Sequence, residues 1–165
     1  MIRAFGMFMR EIEKSSPGCG ENVRLILAGK GGYGYKDIQK EIRKSEYGKN
    51  IIEKGYVSPE EKEKLYADAD IFLFPSLAEG FGLPVLEAMS HGIPVVTSRA
   101  DALAEVSGGG ALLVDPTSSE EIAAALWKLF VSIEERKNLV RKGYENLQRF
   151  SWGKCARETW EVLKE

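Results

Sequence analysis

Five short strand-like runs recur along this chain, at residues 23–28, 51–57, 70–74, 93–97 and 111–114, and most of them lack polar alternation. Strands without alternation belong to parallel sheets covered on both faces. The segments between them carry helix signals. Residues 2–14 and 37–47 mix apolar positions with charge. Ser58-Pro59-Glu60-Glu61 is a compact helix start, with Ser58 as cap, Pro59 in the first turn and Glu61 placed to close a capping box; that helix runs to about Ala67. A short helix follows Gly82, with Pro84 in its first turn and Gly92 at its end. Another spans residues 100–106. Ser118 or Ser119 caps a helix reaching Phe130, Ser132 starts the next, and Ser151 caps the last, which holds Trp152 and Trp160.

Strand and helix therefore alternate before three closing helices. This order predicts an α/β fold, a Rossmann-like doubly wound parallel sheet with C-terminal helices and right-handed crossovers. A length of 165 residues suits one domain, residues 1–165, with no linker or internal repeat. The chain opens on a helix, whereas doubly wound domains open on a strand that lies mid-sheet.

Composition removes several function classes. Lys plus Arg is 23 against 25 for Asp plus Glu, a balance that argues against a nucleic-acid partner. No apolar run is long enough to span a bilayer, and Met1-Ile2-Arg3-Ala4-Phe5 lacks the apolar region of a signal peptide. Cys19 and Cys155 stand far apart and read as two reduced thiols, so a cytoplasmic protein is expected. His91 is the sole histidine, so neither a histidine-based metal site nor a Ser-His-Asp triad is expected.

The densest motif is Pro75-Ser76-Leu77-Ala78-Glu79-Gly80-Phe81-Gly82-Leu83-Pro84-Val85-Leu86-Glu87-Ala88-Met89, followed by Gly92-Ile93-Pro94-Val95-Val96. A strand ends at Phe74, and a glycine-containing loop leads into a helix N-terminus. Ligands of open α/β sheets bind at the carboxyl ends of strands. A helix N-terminus offers free N–H groups and partial positive charge to a phosphate. Glu79 on the loop and Glu87 one turn into the helix can accept from sugar hydroxyls, and a carboxylate suits a cis-diol. A bare pair of glutamates at this spacing means little in a Glu-rich chain. The strand end, glycines, first-turn proline and two carboxylates together carry the argument.

This stretch resembles the EGFG-x-P-x-x-EAM-x-x-G-x-PVV block of the retaining GT-B glycosyltransferases of group 1. Further landmarks are similar: Leu25-Ile26-Leu27-Ala28-Gly29, Tyr56-Val57-Ser58, Leu65-Tyr66-Ala67-Asp68-Ala69-Asp70, Val114-Asp115-Pro116 and Phe150-Ser151-Trp152. The resemblance covers nearly the whole chain and implies the C-terminal, donor-binding domain of such an enzyme. It implies a hexose moved from a nucleoside-diphosphate sugar of GDP-mannose or UDP-glucose type to an acceptor hydroxyl, with retention and without a metal or other cofactor. Glu79, at the donor sugar, is the implied catalytic residue. The backbone of Gly80, Phe81, Gly82 and Leu83 would hold sugar and diphosphate, and Glu87 the ribose diol. Tyr56, Val57 and Ser58 would border the base, and Gly29 would keep the cleft floor clear.

The departures matter as well. The family's first strand, with its Gly-Arg pair and following Lys, has no counterpart here, nor does the N-terminal acceptor domain. Arg3 sits in the opening helix and is not read as a substitute phosphate ligand. The chain alone is therefore expected to bind donor nucleotide weakly or not at all and to transfer nothing. Membrane association is left open by these residues. Two alternatives remain: a non-catalytic nucleotide-sugar-binding module, and an NAD-binding domain built on Gly29-Lys30-Gly31-Gly32-Tyr33-Gly34 with Glu53. Asp68-Ala69-Asp70 mimics a metal site but precedes its strand, the wrong end of the sheet. His91 reads as a helix cap. Trp127, Phe130, Trp152 and Trp160 read as core or interdomain packing.

Overall fold

The alternation is realised in the computed structural model, which describes residues 1–164. In chain order the elements are α1 (Ile2–Ser15), β1 (Leu25–Ala28), α2 (Tyr35–Lys44), β2 (Ile51–Gly55), α3 (Pro59–Asp68), β3 (Phe72–Phe74), α4 (Leu83–Ser90), β4 (Val95–Ser98), α5 (Asp101–Ser107), β5 (Ala111–Val114), α6 (Ser119–Val131), α7 (Ile133–Leu147) and α8 (Trp152–Leu163).

The helix starts follow from their caps. Ser58 accepts from the Glu61 N–H at 3.2 Å while Glu61 accepts from the Ser58 N–H at 3.0 Å, a complete capping box. Ser118, not Ser119, caps α6, and Ser132 and Ser151 cap α7 and α8. Two boundaries differ from the sequence reading. α2 begins at Tyr35 because Gly34, at φ +78°, turns the chain before it, and it ends at Lys44. Tyr47 thus lies beyond the helix and is buried in the core instead.

All strand pairs are parallel, but they form two sheets. β1 pairs with β2, Leu25 opposite Ile51. β3, β4 and β5 form the second sheet in that order, with Phe72 opposite Val95 and Val95 opposite Ala111. In the doubly wound order the first strand lies between the second and the fourth. In this chain the interruption falls between β1 and β3, which hydrogen-bond to no common strand.

Both sheets rest on one helical layer. Leu25, Leu27, Ile71, Leu73 and Val96 pack with Phe5, Phe8, Met9 and Ile12 of α1 and with Ile122, Leu126 and Leu129 of α6. Phe72, Phe74, Val95 and Ala111 face the other way, onto Val85, Met89, Leu103 and Val106 of α4 and α5. Trp127 and Phe130 join the first cluster, as expected. Trp152 and Trp160 do not: α8 carries no buried residue in this chain. The expectation of sheets covered on both faces holds for β3 and β4; on β5 Leu113 is 40% exposed. Ile26 is 43% exposed and Ile52 37% exposed, because the two-stranded sheet has helices on one face.

Candidate functional site

The loops leaving β1, β2 and β3 supply most of the sequence-predicted residues at carboxyl strand ends, while Leu83 and Glu87 lie on α4. The Thr97 hydroxyl donates to the Phe74 carbonyl at 2.8 Å, fixing the end of β3 to β4 where the motif loop departs. Within the loop the Ser76 hydroxyl donates to the Ala78 carbonyl at 3.1 Å. Phe81 is anchored edge-on against Phe150, with ring centroids 5.9 Å apart. Gly82 then adopts φ +101° as the N-cap of α4. Its missing side chain is required twice over, since a Cβ there would stand 2.5 Å from Leu103 Cδ2.

This geometry leaves donors free. Among the described residues, the N–H groups of Gly80, Phe81, Gly82 and Leu83 have no acceptor within the chain. No side chain caps α4 either. Four consecutive free donors beside a helix N-terminus match the needs of a phosphate. Glu79 is half-buried beside them and makes no side-chain hydrogen bond to a described residue.

Gly29 and the β2 turn meet through a main-chain bond. Gly29, at φ +142°, donates its N–H to the Gly55 carbonyl at 2.8 Å. Nothing lies within 4 Å of where a Cβ on Gly29 would stand, so its glycine is required by φ alone. Tyr56 is exposed and Val57 half-buried. Ser58 is engaged throughout in the α3 cap: its hydroxyl accepts from the Glu61 N–H and donates to Glu60, its own N–H donates to Glu61 Oε2, and its carbonyl accepts from the Lys62 N–H at 2.8 Å.

Glu87 is more tightly held than its sequence position suggested. Its Oε1 accepts from Lys62 Nζ at 2.8 Å and its Oε2 from the Tyr66 hydroxyl at 3.0 Å. Burial acts to raise its pKa, but the hydrogen bonds from Lys62 and Tyr66, with the Lys62 charge and His91, outweigh burial and hold the carboxyl below its ordinary value. Burial and the same carboxylate push the Tyr66 phenol well above its usual range. His91 ends α4, its Nδ1 2.9 Å from the Glu87 carbonyl and its Nε2 2.9 Å from Glu63. The Glu87 carbonyl, then Glu63, raise its pKa against a smaller opposing effect of burial. The expected helix cap is thus realised.

Lys62 and Tyr66 were missed by sequence reasoning. The available signal was their spacing: four residues apart on α3, directly after the turn assigned to the base, they share one helix face. The structure links Gly29, the 56–58 turn, α3 and Glu87 through successive contacts. Glu79 and the 80–83 backbone lie on the adjoining loop and make no hydrogen bond to the Glu87 side chain. Arg3 pairs with Glu41 of α2 at 2.9 Å. Asp70 lies at the amino end of β3, lining a separate hollow of about 710 Å³ with Gly92, Pro94, Arg136 and Tyr144. Among the described residues no group of three His, Cys, Asp or Glu side chains could hold a metal ion.

A parallel α/β domain with a glycine loop at a strand end, and carboxylates on that loop and on the helix after it, defines a Rossmann-like fold. The chain belongs to the glycosyl transferases group 1 family, whose sequence pattern matches residues 5–146. It is 40% identical over 110 residues to the O-antigen chain mannosyltransferase B of Escherichia coli, covering 67% of this chain and 29% of that protein. It is 41% identical over 112 residues to the MMP alpha-(1->4)-mannosyltransferase of Mycolicibacterium hassiacum, covering 66% of this chain and 27% of that protein. The chain therefore spans under a third of the length of these relatives. Among solved structures, it resembles the C-terminal domain of a glycosyl transferase group 1 family protein (LpcC) from Francisella tularensis, with a TM-score of 0.71 and 26% identity, covering 89% of this chain and 77% of that one. It shares its fold with Anabaena Alr3699/HepE in complex with UDP and glucose, at a TM-score of 0.78 and 22% identity, covering 96% of this chain and 44% of that one.

Proposed function

We propose that this domain is the donor-binding half of a retaining hexosyltransferase. It takes a nucleoside-diphosphate sugar of GDP-mannose or UDP-glucose type and passes the hexose to an acceptor hydroxyl held by a domain outside this chain. The observation that carries the reading is the run of four unbonded N–H groups at Gly80–Leu83, set at the start of α4 and flanked by Glu79 and Glu87. Mannosyltransferase relatives and a fold neighbour that binds UDP and glucose support it.

The division of labour follows from charge. Negative charge grows on the leaving diphosphate as the glycosidic bond breaks. Preorganised N–H donors and the positive end of α4 stabilise it there without a metal cofactor. Carboxylates would repel that diphosphate, so Glu79 and Glu87 serve the flanking sugars. Glu79 accepts from hydroxyls of the transferred hexose, and Glu87 accepts from the ribose diol. Gly29 and the backbone of Tyr56, Val57 and Ser58 border the base.

Calorimetric titration with UDP, GDP and their glucose and mannose conjugates, with and without chelator, tests this reading. Weak binding, unchanged by chelator and reduced by Glu87→Gln for every nucleotide, is expected. Glu79→Ala should weaken the sugar conjugates and spare the bare nucleotides. Equal binding by wild type and both variants overturns it.

A further inference from the structure

A glutamate on a surface has three rotatable side-chain bonds. Ordering it around a ligand forfeits rotamer freedom. Glu87 has already lost that freedom. Each of its two oxygens accepts from a different donor, Lys62 at 2.8 Å and Tyr66 at 3.0 Å. Both donors stand on α3, whose first turn is fixed by the Ser58–Glu61 box.

Tyr66 is the firmer of the two. It is 7% exposed, stacks on His91 with centroids 4.9 Å apart, and packs against Phe72 at 5.6 Å. His91 is itself held between Glu63 and the Glu87 carbonyl. The phenol ring therefore cannot turn away, and its hydroxyl has no partner other than Glu87 among the described residues. Lys62 is more exposed, at 41% of its side chain. Glu87 is still 39% exposed at its side chain, and each carboxylate oxygen has a second lone pair. The group is thus gripped from one side and open on the other, with its plane fixed.

We infer that Lys62 and Tyr66 are positioning residues that hold the Glu87 carboxylate in the orientation that receives both hydroxyls of a ribose. Tyr66 and Lys62 touch no ligand; they act through Glu87. This rests on the reading of Glu87 as the diol acceptor. A deoxyribose leaves one held oxygen without its hydrogen bond. A hydrogen bond to a charged group contributes about 1.5–3 kcal/mol, roughly tenfold to a hundredfold in affinity.

The test compares UDP and GDP with their 2′,3′-dideoxy forms, using calorimetry or ligand-observed NMR at millimolar concentrations. The proteins are wild type, Glu87→Gln, Tyr66→Phe and Lys62→Met, each checked for native fold by circular dichroism. Wild type is expected to prefer the ribose form by about tenfold or more, and Glu87→Gln to lose that preference. Tyr66→Phe is expected to cut the preference by about threefold to tenfold, and Lys62→Met by less, with dideoxynucleotide affinity unchanged in both. A purely structural role would weaken both sugar forms alike, and that result overturns the inference. Loss of preference in Glu87→Gln with full preference in both α3 variants also overturns it, while leaving the site reading intact. No ribose preference in wild type overturns the site reading itself.

Discussion

Alanine at Gly82 tests whether the loop geometry is imposed by packing. At φ +101° a residue with a Cβ is strained by about 1–2 kcal/mol. The same Cβ would stand 2.5 Å from Leu103 Cδ2. Leu103 is fully buried among Val85, Met89 and Val106, so it has little room to retreat. Overpacking of this kind adds about 1–3 kcal/mol. Gly82→Ala should therefore lose about 2–5 kcal/mol in all. Gly80→Ala is the internal control. Gly80 has negative-φ backbone, and a methyl group there would meet nothing within 4 Å, so its stability should stay within about 0.5 kcal/mol of wild type. Urea unfolding with unchanged slope separates the two variants. A Gly82→Ala midpoint equal to that of Gly80→Ala would refute the claim that close packing against α5 sets the start of α4.

Three further outcomes follow from caps and charges. Ser58→Ala removes the acceptor of the α3 capping box and should destabilise the chain by about 0.5–2 kcal/mol, read by urea midpoint. The Glu87 carboxyl is held below its ordinary value of 4.5, so its contribution is present above that pH and is lost as pH falls through the lower folded value; Glu87→Gln should flatten the stability profile in that acid window. His91 is shifted the other way. Its contribution is fully present below 6.5 and fades as pH rises through the raised folded value, so His91→Gln should lose more stability at pH 5.5 than at pH 8.5.

Local chemistry was the legible part of this fold. Ser58, Pro59 and Glu61 lie next to one another in sequence, and their capping box needs no distant partner. The same holds for Ser132 and Ser151 as caps, and for Gly82 and Pro84 framing the start of α4. The apolar runs located all five strands within a few residues. Pairing was less accessible, because a strand's neighbour is set by tertiary order: nothing within Leu25–Ala28 or Phe72–Phe74 announces that each bonds on one side only. Tyr47 was misplaced, and the α8 tryptophans lie outside this chain's core, for a related reason. Periodicity marks an apolar position but does not say what covers it, and Trp152 remains 78% exposed here. At the site, the loop and both glutamates were readable as a motif. The Lys62 and Tyr66 grip on Glu87 joins residues 25 and 21 positions apart, and it exists only once α3 packs beside α4.

Backbone amide shifts on adding millimolar UDP or GDP probe the phosphate cradle residue by residue. The account predicts the largest movements at Gly80, Phe81, Gly82 and Leu83, with smaller ones at Tyr56–Ser58 and Glu87. Shifts centred instead on Arg136 and Tyr144, in the hollow at the far ends of β3 and β4, would contradict it.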